Sequence, residues 1–136
     1  MHNDSLQPHP FADYQKMMCA TLQLVEEADL SQLSELELLG LYKGFELTVD
    51  FAVKTLKDKM EDDGIVLQQL SPKGILRQAW QAKYLDEIEP WISMINDRNL
   101  LSHTHDAHLL VNVLPAVQQT YLPLLRKLRD DLEALP

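Results

Sequence analysis

Between Ser34 and Asp63 the chain places an apolar residue every three or four positions, with no turn signal to interrupt the pattern. Leu38, Tyr42, Phe45, Val49, Ala52, Leu56 and Met60 form a near-heptad stripe, the mark of a long amphipathic helix. Leu41, Leu47, Phe51 and Val53 make the segment apolar on other faces as well, so this helix is expected at the centre of the fold. Gly64 follows as a C′ stop. Gly40 and Gly44 each cost about 1 kcal/mol relative to alanine inside a helix. One turn apart, they lead us to expect a close helix–helix approach.

The rest of the chain reads the same way. Only four glycines are present, and no sustained apolar–polar alternation bounded by turn residues indicates strands. A first helix is expected from near Pro10 to about residues 27–29, with Phe11, Tyr14, Met18, Thr21, Leu22 and Val25 on one face. Ser71-Pro72 is a start signal, serine as N-cap and proline at N1, for a helix to about Tyr84. Pro90 opens another. Asp106 can cap a last one, with a stripe from Leu110 through Leu114, Val117, Tyr121, Leu125 and Leu128 to Leu132. Pro115 and Pro123 lie inside that pattern and are expected to kink it. The predicted fold class is all-α, an up-and-down antiparallel bundle of four to five helices. Residues 1–9 are expected to be a flexible tail and residues 10–136 a single domain.

Composition narrows the function classes. Apolar residues make up 46% of the chain, too many for a disordered protein. No apolar run approaches the ~20 residues that span a bilayer, and the N-terminal ten residues do not read as a signal peptide. The single cysteine, Cys19, excludes an intrachain disulfide. A cytoplasmic location without membrane contact is the expectation. The net charge of −9 argues against a general nucleic-acid-binding surface. Residues 1–70 hold 13 acids and 5 bases, whereas all four arginines lie beyond residue 76. An anion site is therefore expected in the second half. The acidic half either faces a basic partner or confers solubility.

The stretch Asp97-Arg98-Asn99-Leu100-Leu101-Ser102-His103-Thr104-His105 carries the chemistry. Arginine binds phosphate through a planar fork, and histidine exchanges protons near neutrality, at an unperturbed pKa of about 6.5. An anion clamp beside a proton carrier suits phosphodiester cleavage. On an ideal helix, however, Arg98 and His103 stand about 140° apart. They converge only if the helix ends or bends near Ser102, or if a second copy completes the site, which points to a homodimer. The plainer reading is an arginine and a histidine at a helix end, the latter helping to neutralise the dipole.

His103, His105, Asp106 and His108 also invite a metal reading. The i, i+2 spacing splays histidines apart on a helix, so no metal is expected. No cofactor is expected, since no glycine-rich phosphate loop occurs. Trp80 and Trp91 are expected as core anchors.

Two blocks in order carry a family resemblance. Residues 44–58, Gly44-Phe45-Glu46-Leu47-Thr48-Val49-Asp50 through Asp58, resemble the long central helix of the nucleotidyltransferase substrate-binding protein family. Residues 97–104 are similar to that family's signature, and Thr120-Tyr121-Leu122-Pro123 resembles its last helix. The resemblance runs from about Phe11 to Glu133 and places the chain in the HEPN superfamily of helical bundles.

That resemblance implies a dimer with R-x4-6-H motifs at the interface. Many such relatives are metal-independent ribonucleases, toxins held in check by a small nucleotidyltransferase. It also implies roles. His103 would be the general acid/base, Arg98 would hold the phosphate, and Asn99 would be the polar residue after the arginine. In relatives controlled by adenylylation a tyrosine stands where this chain has His105, so the modified phenol is missing. Two readings follow: a dimeric ribonuclease acting on RNA, and a non-catalytic substrate-binding or partner subunit of a minimal nucleotidyltransferase.

Overall fold

The structure, a computed structural model, describes Ala20, residues 32–103 and residues 107–133, with the side chains of residues 107, 108, 110 and 133 outside that set. The expected first helix, the tail over residues 1–9, Cys19, His105 and the proposed Asp106 cap lie outside the described residues. Every regular element among the described residues is helical: α1 (Glu35–Asp62), α2 (Pro72–Gln81), α3 (Glu89–Ser102), α4 (Ala107–Ala116) and α5 (Leu122–Glu133), with a π-helical turn, Val117–Tyr121, joining the last two. α1 contacts each of the other four helices, the central position its all-round apolar pattern predicts. The all-α bundle is the observed fold.

Capping chemistry sets the boundaries. Ser34 Oγ accepts the Glu37 N–H at 3.1 Å while Glu37 Oε1 accepts the Ser34 N–H at 3.1 Å, a reciprocal capping box. At the far end of α1, Gly64 has a φ of 86°. Its N–H bonds to Glu61 O, and the Ile65 N–H reaches Met60 O at 2.9 Å. This Schellman motif ends the helix where the glycine predicts. Ser71 caps α2 through the Gly74 N–H at 3.1 Å, with Pro72 in the first turn. α2 ends at Gln81, three residues short of the expected Tyr84, because Lys83 adopts the left-handed conformation at φ 69°. The Lys83 and Tyr84 N–H groups close a second Schellman motif on Trp80 O and Ala79 O.

The core gathers the striped residues of all the helices: Phe45, Val49, Leu56 and Met60 from α1, Leu76 from α2, and Met94 from α3, with Leu125 from α5. Thr48 and Thr55 are buried in α1, and each hydroxyl donates to the carbonyl four residues back at 2.7 Å, which satisfies it locally.

The structure bears on three further expectations. A Cβ at Gly40 would meet nothing within 4 Å among the described residues, so that position makes no close approach. Gly74 is tight: a Cβ there would fall 2.5 Å from Gln69 Cβ. Trp91 is a core anchor, 2% exposed, but Trp80 is 43% exposed. Trp80 lies three and seven residues after Arg77 and Lys73, on the polar face of α2, which outweighs its own hydrophobicity. Finally, Pro115 and Pro123 flank an irregularity in the last helical stretch, the kind of feature at which helices kink. The chain passes through Pro115 helically and then widens into the π turn, in which the Leu122 N–H reaches back to Val117 O. Pro123 has no N–H to offer the carbonyl of residue 119 and crowds it; the wider turn relieves that crowding. Among the described residues no helix is long and apolar enough to cross a membrane.

Candidate functional site around Arg98

Arg98 sits on α3 facing α1, and three α1 residues one turn apart, Tyr42, Glu46 and Asp50, form the wall it meets. The guanidinium fork closes on Asp50: Nε donates to Oδ1 at 3.1 Å and Nη2 to Oδ2 at 2.7 Å. Nη2 also reaches Glu46 Oε1 at 3.3 Å. Only 21% of the arginine side chain is exposed, and 13% of the Glu46 side chain. Burial opposes the charge on Arg98, but Asp50 and Glu46 outweigh it and hold the guanidinium protonated above its ordinary range. Burial, and next the Glu46 carboxylate, push the Tyr42 phenol up to about 12. Its buried hydroxyl has no hydrogen-bond partner among the described residues. One arginine thus faces two carboxylates, a local excess of negative charge.

The neighbouring acid of the motif is also engaged. The Tyr121 hydroxyl donates to Asp97 Oδ2, and burial followed by that carboxylate raises the Tyr121 pKa. Tyr121 stacks on Phe45, ring centres 5.9 Å apart at 18°, so the π turn, α1 and α3 are tied together beside Arg98. Arg98, Asn99 and Asp50 line a small cleft floored by Val53, Pro72 and Ile95.

Arg98 and Asn99 therefore share one cleft, and Asn99 is exposed in it. His103 does not join them. α3 runs on through Ser102, whose hydroxyl donates to Asn99 O at 2.9 Å. His103 is the exposed C-cap residue, its N–H on Leu100 O at 3.3 Å, and it lies outside the cleft. Among the described residues no three metal-ligating side chains gather.

Glu46 and Asp50 escaped the sequence reading, which found only apolar stripes on the long helix. The signal was nonetheless present. Tyr42, Glu46 and Asp50 make a polar ladder at i, i+4, i+8 on a segment otherwise read as central. A carboxylate pair on the wall of a buried helix calls for a cation, and the arginines in the second half supply it.

A helical bundle with a charged cleft between its central helix and the helix carrying R-x4-H defines the class of protein. The model of a family described as nucleotidyltransferase substrate binding protein like matches residues 9–134. The chain belongs to that family, with which the HEPN superfamily assignment is consistent. No curated protein sequence matches the chain.

Proposed function

We propose that this protein is a non-catalytic binding subunit that works with a nucleotidyltransferase. The observation that carries the reading is the occupied fork of Arg98. Its donors already engage Asp50 and Glu46, so a phosphate entering the cleft meets carboxylates before it meets a free cation. At a few ångströms such repulsion outweighs what one shared arginine returns. The net charge of −9 works in the same direction. The family's description names the partner activity.

A second reading keeps the enzyme: a HEPN-type toxin, a metal-independent ribonuclease in which Arg98 holds the phosphate and His103 moves the proton across a homodimer interface. It is favoured by the exposure of Asn99, Leu100 and His103 at the end of α3, where a second copy could meet them. In that reading Arg98 must leave Asp50 before it acts.

One experiment separates the two. The chain is co-expressed with the nucleotidyltransferase encoded beside it and purified by affinity at moderate salt. The chain alone is then incubated with a mixed RNA pool, with and without EDTA. The binding-subunit reading expects co-elution and no cleavage. If the chain alone cuts RNA, and His103→Ala lowers the rate by about 10²–10⁴-fold without unfolding it, the ribonuclease reading replaces it.

A further inference from the structure

Residues 64–85 contain no aspartate or glutamate, in a chain that carries 21 acids. α2 lies in the middle of this acid-free stretch. Its inner face, Gly74, Ile75, Leu76 and Ala79, is buried. On its outer face Lys73, Arg77 and Trp80 fall within an arc of about 60°. Among the described residues no acid pairs with Lys73 or Arg77, although Lys43, Lys57, Lys59, Lys127, Arg98 and Arg129 all have carboxylate partners. Trp80 is 43% exposed, and the loop leading into α2 exposes Val66 and Leu70. That loop is held in place: Gln78 Nε2 donates to Val66 O at 2.7 Å, and Gln78 Oε1 accepts the Gln68 N–H at 3.1 Å.

We infer that this outer face of α2 is the surface through which the chain docks an acidic protein surface on its nucleotidyltransferase, Trp80 filling an apolar recess between contacts from Lys73 and Arg77. The inference rests on the binding-subunit reading for the partner's identity. The chemistry of the partner comes from the patch itself. Tryptophan and arginine are the residues that most often anchor interfaces, and a pre-organised loop loses little freedom on binding. Two cations with no acid beside them among the described residues call for carboxylates. A second copy does not fit. A two-fold axis through this face would bring the Lys73 and Arg77 charges of the two copies together. Nucleic acid fits less well, because one aromatic ring and two cations make neither a stacking row nor a backbone-neutralising footprint, and aliphatic Val66 and Leu70 have no use there.

The test measures the affinity of the full-length chain for that nucleotidyltransferase at low and high salt. The variants are Trp80→Ala, Lys73→Glu/Arg77→Glu and, as a single charge reversal elsewhere, Arg126→Glu. Trp80→Ala and the double reversal should each weaken binding by about tenfold or more, and Arg126→Glu by less than about twofold. Added salt should weaken the wild type more than the double reversal, a dependence that a merely structural role would not remove. Because Arg77 and Trp80 are exposed and Lys73 is only half-buried, nearly unchanged melting curves are expected, and Trp80→Phe should recover part of the affinity. If the wild type binds and the variants bind equally well, the docking face is wrong while the binding-subunit reading stands. If the wild type does not bind at low salt, both fall. If the variants keep the protein partner but lose a single-stranded RNA oligonucleotide, the face serves nucleic acid and the inference is overturned.

Discussion

Arg98 and Arg77 are the same residue put to opposite uses. Arg98 lies between two helices, its fork closed on Asp50 and touching Glu46, and it ties α3 to α1. Arg77 stands on the outside of α2 with no acid beside it among the described residues. The motif pointed to Arg98 as the ligand-binding cation. The geometry gives Arg98 internal partners, whereas Arg77, with no acid beside it among the described residues, stands on a helix without a recognised motif. An arginine's availability depends on which carboxylates the fold brings to it, and sequence neighbours do not reveal them.

The contrast can be broken first by truncation. Arg98→Ala leaves the largely shielded Glu46 and the exposed Asp50 one turn apart without their cation. It should lower unfolding stability by about 1–3 kcal/mol, the range for charge-assisted hydrogen bonds left unmade. Arg77→Ala should stay within about 0.5 kcal/mol of wild type, as exposed substitutions do. Urea denaturation of the two variants checks both values, and equal losses would erase the distinction.

The contrast sharpens when the acids are neutralised instead. Glu46→Gln/Asp50→Asn removes both negative partners and leaves Arg98 charged in its cleft. At low ionic strength this variant should bind inorganic pyrophosphate about tenfold more tightly than wild type, by titration calorimetry. No gain would mean that the cleft excludes anions for reasons other than its carboxylates.

A smaller effect lies at the end of α2. Lys83 holds a left-handed φ of 69° that glycine adopts without penalty. Lys83→Gly should stabilise the chain by about 0.5–1 kcal/mol in thermal melts and leave docking through Trp80 unchanged. A loss of docking would extend the α2 surface past the helix.

The smallest effect is alkaline. Tyr42 titrates at about 12 in the folded chain, above its ordinary value near 10. Below pH 10 the contribution of this group to stability is fully present. As pH rises from 10 to about 12 the unfolded chain loses the phenolic proton first, and that contribution is lost. Tyr42→Phe should flatten the fall in stability over this window. It should cost little at neutral pH, since the hydroxyl has no partner among the described residues.

How much was legible follows the range of each interaction. Ser34, Gly64 and Ser71-Pro72 act within a turn of themselves, so they gave the ends of α1 and the start of α2 almost to the residue. The apolar stripe of α1 gave its central place. The pairing of Arg98 with Asp50 spans 48 residues of chain and depends on how two helices are rotated against each other, which no local pattern records. In the sequence Tyr121 is one more apolar residue of a stripe, because its bond to Asp97 is again long-range. The exposure of Trp80 is local information: its phase with Lys73 and Arg77 puts it on the polar face of α2 in spite of its hydrophobicity.

The π turn at Val117–Tyr121 also works as a phase shifter. An α-helix turns about 100° per residue, so one residue added or removed there rotates everything downstream by that angle. Deleting one residue between Gln118 and Thr120 would close the wide turn into an ordinary one. Leu125 and Leu128 would then swing off the core and the exposed charges of α5 would swing toward it. Tyr121 would lose its aim at Asp97. The length of this short stretch is therefore fixed more tightly than its residue types, and an alignment of this helix that slides by one position would misassign every side chain after it.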